Sequence, residues 1–164
     1  EKIAKFYSML SDTKYTIIRH SNIYGPHDKY DLDKSHVFGA TITKVMRAKE
    51  TLEVWGNGKE IRDFLHADDL VNFVKKAIRK QKKPYEIFNC GSGSPITVKD
   101  LCKKIIKISR KDIEIKFNKA KPSIPFDMYL DCNRAKKEIG WTPQIEIDQG
   151  IKKTISWWKK NIKK

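Results

Sequence analysis

The chain has 164 residues, which suits one domain, and 39% of them are hydrophobic while 34% are charged. This composition supports a folded core and excludes an intrinsically disordered segment, and no apolar run reaches the ~20 residues of a membrane-spanning helix. The formal charge is +15, yet only six of the 35 basic residues are arginine. Because arginine is the residue that recognises phosphate and guanine bidentately, the charge favours a solvated lysine coat over a nucleic-acid surface.

The cysteines and histidines predict no metal site. They share neither a Cys-x-x-Cys pair nor a ligand spacing such as His-Glu-x-x-His. The residues concerned are Cys90, Cys102, Cys132, His20, His27, His36 and His66. This cysteine usage, with a charged amphipathic start in place of a secretory signal, fits a reducing cytoplasm, where we expect the protein to reside. Because the first residue is Glu1 and not Met, we expect a segment of a longer protein.

Helix and strand signals alternate along the first 65 residues. The hydrophobic periods predict a helix over 1–11, a buried strand over 15–19, a Gly-Pro turn at 25–26, a polar loop over 27–35 and a helix over 38–49. Two extended runs, 52–55 and 61–65, then flank Asn57-Gly58. That dipeptide between two strands is typical of a β-hairpin.

The remainder of the chain continues the alternation. It predicts a helix capped by Asp68 or its neighbour and ended by Pro84, followed by a strand over 86–90. A second helix is opened by the capping-box-like Thr97-Val-Lys-Asp100 and is followed by a strand over 113–117 and a loop over 119–126. The chain then predicts a short helix over 133–139 closed by Gly140, and a last helix with an apolar stripe from Ile151 to Ile162. The fold class is therefore α/β, and extended runs that feed helices suggest parallel strands.

Four motifs in one order cover nearly the whole chain. They are Arg19-x-x-Asn22-Ile-Tyr24-Gly25-Pro26; Leu52-Glu-Val-Trp-Gly-Asn-Gly-x-x-x-Arg62-Asp63-Phe64-x-His66-x-Asp68-Asp69; Phe88-Asn89-Cys90-Gly91-Ser92-Gly93; and Asp131-x-x-Arg134-Ala135-Lys136-x-x-x-Gly140-Trp141-x-Pro143. Together they resemble the extended short-chain dehydrogenases/reductases (SDRs) of the NAD-dependent epimerase/dehydratase family. Chance agreement with all four motifs in order is very small.

The resemblance implies a division of the chain and a fold. Residues 1–34 correspond to the end of a Rossmann-like cofactor domain, the back half of a doubly wound sheet. Residues 35–164 correspond to the small C-terminal α/β substrate-binding domain, with a strand near 86–90 that returns to the Rossmann-like sheet.

One branch of the superfamily fits better than the others. Tyr24-Gly-Pro-His-Asp28 followed by Ser35-His36-Val37 is similar to the GDP-L-fucose synthases, which epimerise and reduce a GDP-4-keto-6-deoxymannose with NADPH. The resemblance implies the substrate-binding part of an NDP-sugar epimerase/reductase acting on a GDP-4-keto-6-deoxy-hexose or related GDP-sugar. A UDP- or other NDP-sugar 4-epimerase or dehydratase with bound NAD is the alternative, and a basic nucleic-acid-binding domain is a distant one.

The same resemblance assigns roles to individual residues. His36 is the acid/base that protonates the sugar carbon, and imidazole suits this because it titrates near neutral pH. The alternative is a loop histidine that caps the helix at Val37. Asn22 holds the substrate or the nicotinamide, just past a strand end where ligands bind in open α/β sheets, and its alternative is an Asx turn. Ile23 offers backbone groups to the cofactor, which His36 also contacts.

The remaining assignments concern substrate contacts. Arg62 pairs with the nucleotide diphosphate through its guanidinium fork, and the alternative is a surface arginine. Lys44 takes the place of a second cation without such a fork. Val37 and Trp55 complete the substrate contacts, although packing is the more frequent use of tryptophan. Met128 stands where the family has a substrate-binding lysine, and Lys119 or Lys121 would compensate.

The sequence also departs from the family pattern. It contains no GxxGxxG loop, no catalytic Tyr-xxx-Lys and no cysteine partner for the histidine, all of which the family carries N-terminal to this segment. NADP(H) or NAD(H) would therefore be bound mainly outside this chain, and the chain alone is expected to be inactive. We further expect a homodimer of the full-length protein, a nucleotide-sugar ligand, and neither nucleic acid nor membrane as partner.

Overall fold

The computed structural model describes residues 1–124 and 126–162. Its helices are α1 (Lys2–Tyr7), α2 (Val37–Arg47), α3 (Ala67–Lys80), α4 (Val98–Ser109) and α5 (Ile147–Asn161), with one π-helical turn at Ala135–Ile139. Its strands are β1 (Tyr15–His20), β2 (Asn22–Tyr24), β3 (Thr51–Trp55), β4 (Ile61–Arg62), β5 (Phe64–His66), β6 (Tyr85–Cys90), β7 (Ile96–Thr97) and β8 (Glu114–Asn118). The predicted α/β class is confirmed. None of the described helices is long and apolar enough to cross a membrane.

Three parallel strand pairs organise the molecule. β1 pairs with β6 from Tyr15↔Tyr85 to His20↔Cys90, and β3 pairs with β8. β2 pairs with β5, so that Asn22 lies opposite Phe64. The prediction that β1 is buried is wrong: four of its residues are half-buried and the last two are exposed. The reason is that β6 is the one strand bonded to β1 within the described residues, which leaves the other edge of β1 uncovered.

The predicted hairpin around Asn57-Gly58 is also wrong. Gly56 and Gly58 do adopt left-handed conformations, with φ of +77° and +70°, and so turn the chain. The strands on either side then separate, because β4 pairs antiparallel with β7 and β3 pairs with β8. The inward residues of β3, Leu52 and Val54, lie opposite Ile115 and Phe117, and this apolar pairing outweighs the local turn signal.

Helix ends show one correction and one confirmation. α3 is capped by His66 and not by Asp68, since His66 Nδ1 accepts a hydrogen bond from the Asp68 backbone N–H at 3.2 Å. The capping box before α4 is confirmed, because Thr97 Oγ1 accepts from the Asp100 N–H at 3.0 Å. The short helix expected over 133–139 takes a π-helical form over its last five residues, closed by Gly140 at φ +67°.

Two apolar clusters hold these elements. The larger one joins α2, α4 and α5 beneath β3 and β8, and Trp158 is buried within it. The smaller one packs α3 and the π-helical turn on β5 and β6 around the buried Trp141. The indole N–H of Trp141 donates to the Asp69 carbonyl at 3.2 Å. Both clusters leave the carboxyl ends of β1 and β2 beside the N-terminus of α2, where the candidate site lies.

Candidate functional site

A cavity of about 650 Å³ opens where β1 and β2 end and α2 begins. That volume falls in the range of small-molecule sites. Four predicted site residues line it together: Asn22, Ile23, His36 and Val37. Its location at the carboxyl ends of parallel strands is where ligands bind in open α/β sheets.

Asn22 is hydrogen-bonded to Asp63, which belongs to the second of the four sequence motifs. Its backbone N–H and its side-chain Nδ2 both donate to the Asp63 carbonyl, at 3.1 and 3.0 Å. No Asx turn forms at Asn22 within the described residues, so the structure gives no support to that alternative. The amide oxygen therefore stays available as a hydrogen-bond acceptor on the cavity wall.

His36 occupies the N-cap position of α2, with φ −74° and ψ 169°, but its side chain makes no capping hydrogen bond. The alternative of an imidazole that caps the helix is thus not what the described structure shows. The residue is exposed and lines the cavity. An imidazole in this place can reach a bound ligand and exchange a proton with it.

The loop 25–30 that forms one wall is tightly anchored. Tyr30 donates its hydroxyl hydrogen to the Gly25 carbonyl at 2.7 Å, and Trp157 stacks on Tyr30 with ring centroids 5.5 Å apart. His27 packs on the same tryptophan at 4.7 Å and adopts a left-handed φ of +67°. Such strain in a non-glycine residue persists only where the surroundings impose it.

Tyr24 and His66 form a buried floor below the cavity. Their rings meet edge to face, 5.3 Å apart. Burial raises the pKa of Tyr24 well above its usual value and lowers the pKa of His66, so both are neutral near pH 7. Within the described residues neither the Tyr24 hydroxyl nor His66 Nε2 has a hydrogen-bond partner.

Ser21 is a cavity residue that sequence reasoning missed. It is 4% exposed, and its Oγ has no hydrogen-bond partner among the described residues. A buried hydroxyl without a partner costs free energy unless a ligand or water bonds to it. The one sequence signal was its place in the string Arg19-His-Ser-Asn22, directly after a strand.

A second group of predicted residues lies outside the cavity lining. Trp55 ends β3 and is 47% exposed, and the Nζ atoms of Lys44 and Lys121 lie 5.2 and 5.5 Å from its ring centroid. The Trp55 indole N–H donates to Glu53, whose carboxylate also accepts from Asn118. The hydrogen bond from Asn118, and then that from Trp55, hold the pKa of Glu53 below its usual value. An exposed aromatic ring with two cations close to it can bind the flat base of an anionic nucleotide.

Arg62 does not present an open fork. Its guanidinium donates to the carbonyls of Phe126 at 2.5 Å and Ile124 at 2.8 Å, and to its own neighbour Ile61 at 2.8 Å. It therefore fastens the segment around residue 124 to β4. Its backbone pairs with Met128, which lines the cavity, so Arg62 lies beside the cavity without lining it.

The metal-ligating and thiol side chains form the last set of titratable groups. Within residues 1–124 and 126–162, no three His, Cys, Asp or Glu side chains are grouped so that they could hold a metal ion. Burial raises the pKa of the Cys90 and Cys102 thiols to about 12, so both stay protonated at neutral pH.

The fold and this site define the class of protein. Residues 1–91 match the model of the NAD dependent epimerase/dehydratase family, and the chain belongs to that family. It is 32% identical to the GDP-L-colitose synthase of Yersinia pseudotuberculosis over 152 residues, 90% of this chain and 49% of that protein. It is 26% identical to the GDP-L-fucose synthase of Escherichia coli K12 over 98% of this chain and 53% of that protein.

Solved structures agree with this assignment. The UDP-glucose 4-epimerase of Thermotoga maritima with UDP-glucose superposes with a TM-score of 0.87 and 27% identity, over 98% of this chain and 51% of that one. RMD from Pseudomonas aeruginosa complexed with NADPH, at 20% identity and a TM-score of 0.84, shows the shared fold. The chain spans about half the length of the relatives it matches. The predicted resemblance to extended SDRs is confirmed.

Proposed function

We propose that this chain is the substrate-binding part of an NDP-sugar epimerase/reductase that acts on a GDP-4-keto-6-deoxy-hexose or related GDP-sugar with NADP(H). The observation that carries the proposal is the single cavity that joins Asn22, Ile23, His36 and Val37. Its support is the relatedness to GDP-L-colitose and GDP-L-fucose synthases. In this assignment residues 1–34 end the cofactor domain, 35–164 form the substrate domain, and β6 returns to the cofactor-domain sheet.

In this proposal His36 moves a proton at the sugar carbon next to the carbonyl group. Imidazole suits that step because it can donate or accept a proton near neutral pH. The amide oxygen of Asn22 orients a hydroxyl of the sugar, since its Nδ2 is already committed to Asp63. Val37, the first residue of α2, packs against the sugar ring.

The residues present fit only one end of a nicotinamide cofactor. The buried Ser21 hydroxyl, the backbone of Ile23 and the His36 ring line one cavity and offer polar groups to a carboxamide. The sequence holds no glycine-rich dinucleotide loop, so the rest of the cofactor would be bound outside this chain. When bound, the cofactor supplies hydride chemistry at the sugar carbonyl.

The nucleotide would lie on the second group of residues. Trp55 provides a stacking surface, and Lys44 and Lys121 provide positive charge beside it. Arg62 would join the diphosphate only after exchanging its carbonyl partners at residues 124 and 126 for phosphate oxygens, which accept stronger hydrogen bonds from guanidinium.

Nucleotide affinity tests the proposal. Titration calorimetry of the chain with GDP and with UDP should show tighter binding of GDP. The variant Trp55→Ala should weaken GDP binding about tenfold, since stacking on an aromatic side chain contributes roughly 1–3 kcal/mol per base. The matched control is Tyr7→Ala, another half-exposed aromatic, on α1. Absence of nucleotide binding, or equal losses in the two variants, would contradict the proposal.

One observation favours a second candidate. The UDP-glucose 4-epimerase structure matches over nearly the whole chain, so a UDP- or other NDP-sugar 4-epimerase or dehydratase with bound NAD is the alternative. Tighter binding of UDP than of GDP would select it. Binding to duplex DNA with a steep salt dependence would instead favour the nucleic-acid alternative. For the full-length protein we propose a homodimer, which light scattering would test.

A further inference from the structure

Asp28 is the one carboxylate among the described residues that line the cavity. Its Oδ1 accepts a hydrogen bond from the Lys29 backbone N–H at 2.7 Å. Its Oδ2 accepts none from the residues that the structure describes. The cavity wall therefore carries one negatively charged oxygen with unused capacity to accept a hydrogen bond.

The position of this carboxylate is fixed by its neighbours. A Cβ atom on Gly39 would lie 2.5 Å from the Lys29 carbonyl oxygen and 3.4 Å from Asp28 Oδ2. Only a glycine in the first turn of α2 allows the loop to pack so closely on the helix. Tyr30, bonded to the Gly25 carbonyl, and the stacked Trp157 hold the rest of the loop. Asp28 is thus presented to the cavity by a rigid segment, which reduces the entropy lost on ligand binding.

The chemistry of a half-buried carboxylate selects one part of a nucleotide-sugar. An anionic side chain repels a diphosphate but accepts hydrogen bonds from hydroxyl groups. Lys29 also lines the cavity, directly beside Asp28. The cations Lys44 and Lys121 lie outside it, around Trp55. Burial raises the pKa of Asp28, and the Lys29 backbone N–H, then His36 and the Lys29 side chain, offset this in part. A hydrogen-bond donor on the ligand would pair with Asp28 Oδ2.

We propose that Asp28 accepts a hydrogen bond from a hydroxyl of the substrate sugar and makes this cavity select sugars that carry that hydroxyl. The inference rests on the proposed nucleotide-sugar function. The same hydrogen bond orients the ligand, with the sugar beside Asp28 and His36 and the nucleotide toward Trp55. A site built to bond a hydroxyl rejects analogues that lack it far more strongly than an apolar pocket does.

The test compares the affinities of GDP and GDP-mannose for the 164-residue chain by titration calorimetry. We expect GDP-mannose to bind the wild type about tenfold more tightly than GDP. Asp28→Ala should remove most of that difference, because Asn22 and Val37 still contact the sugar, while it changes the affinity for GDP less than twofold. Asp28→Asn should retain part of it, because the amide oxygen still accepts. The control Asp33→Ala removes an exposed carboxylate from the same polar loop, outside the cavity lining.

The outcomes separate this inference from the function on which it rests. If the wild type binds GDP-mannose more tightly than GDP and Asp28→Ala preserves that difference, the hydroxyl contact is refuted and the proposed function stands. Equal losses for both ligands in Asp28→Ala would also refute it. If the wild type binds neither ligand, the proposed function and this inference fall together. Should Asp28→Ala fail to fold, an undiminished GDP-mannose preference in Asp28→Asn would refute the contact.

Discussion

Gly150 offers the sharpest test of how α5 supports the cavity floor. A Cβ atom at this position would lie 1.9 Å from the Tyr24 hydroxyl oxygen and 2.6 Å from Tyr24 Cζ. Movement of the tyrosine ring away from this Cβ is opposed by its packing on Phe38, with centroids 4.1 Å apart, and on His66. Gly150→Ala therefore sets a steric clash in the core against the higher helix propensity of alanine.

The two effects can be weighed. Alanine in place of a helical glycine stabilises by about 1 kcal/mol. Overpacking a well-packed core costs typically ~1–3 kcal/mol, and a backbone-attached atom this close to a buried ring should fall at the upper end. We expect a net loss of about 2 kcal/mol, which for a chain of this size lowers the melting temperature by roughly 4–8 °C. Urea unfolding followed by tryptophan fluorescence measures it.

Tyr24→Phe provides the matching control. The tyrosine hydroxyl is buried without a hydrogen-bond partner among the described residues, so its removal should leave stability unchanged or raise it by up to about 1 kcal/mol. It also removes the atom nearest to the new Cβ. In the double variant the cost of Gly150→Ala should fall by at least about 1 kcal/mol, a coupling that a double-mutant cycle isolates. A Gly150→Ala protein as stable as the wild type would refute the reasoning, since helix propensity would then outweigh the contact.

Three further predictions concern stability. Burial lowers the pKa of His66 below 6.5, so at a pH between the folded-state and unfolded-state pKa values unfolding takes up a proton. Stability should therefore be full above pH 6.5 and fall as the pH drops from 6.5 through the folded-state pKa. Urea midpoints measured from pH 8 to 5 should show this slope in the wild type but not in His66→Gln. Thr97→Ala should cost about 1 kcal/mol through loss of the cap of α4, and an unchanged urea midpoint would contradict the cap assignment. Trp141→Phe leaves the Asp69 carbonyl without its indole donor and should cost about 1–3 kcal/mol, measured by thermal unfolding.

The sequence predicts the elements of this chain better than their pairing. Alternation and periodicity located the strand ending at Phe117 and the capping box at Thr97 because both signals are local. Pairing depends on which apolar faces meet in space. Asn57-Gly58 carried a strong hairpin signal, yet Leu52 and Val54 found their partners on β8, more than 50 residues away.

The candidate site was predictable only in part, for the same reason. Asn22, Ile23, His36 and Val37 were found through motif resemblance, and the structure brings them to one cavity. For Ser21 the one signal was its place directly after a strand, because its burial arises from packing around the end of β1. The position of Arg62 depends on contacts with residues 124 and 126, which no spacing in the sequence reveals.

The parallel pairing of β2 with β5 explains why two distant motifs make one site. Asn22 lies opposite Phe64, and the Asp63 carbonyl between them receives both donors of Asn22. Asp63 is fully buried and its carboxylate in turn accepts hydrogen bonds from the backbone and side chain of Ser92, at the turn after β6. Three motifs thus converge on one aspartate that binds no ligand in the proposed mechanism. Its hydrogen bonds connect the start of β2 and the turn after β6 to the residue that precedes β5, beside the cavity.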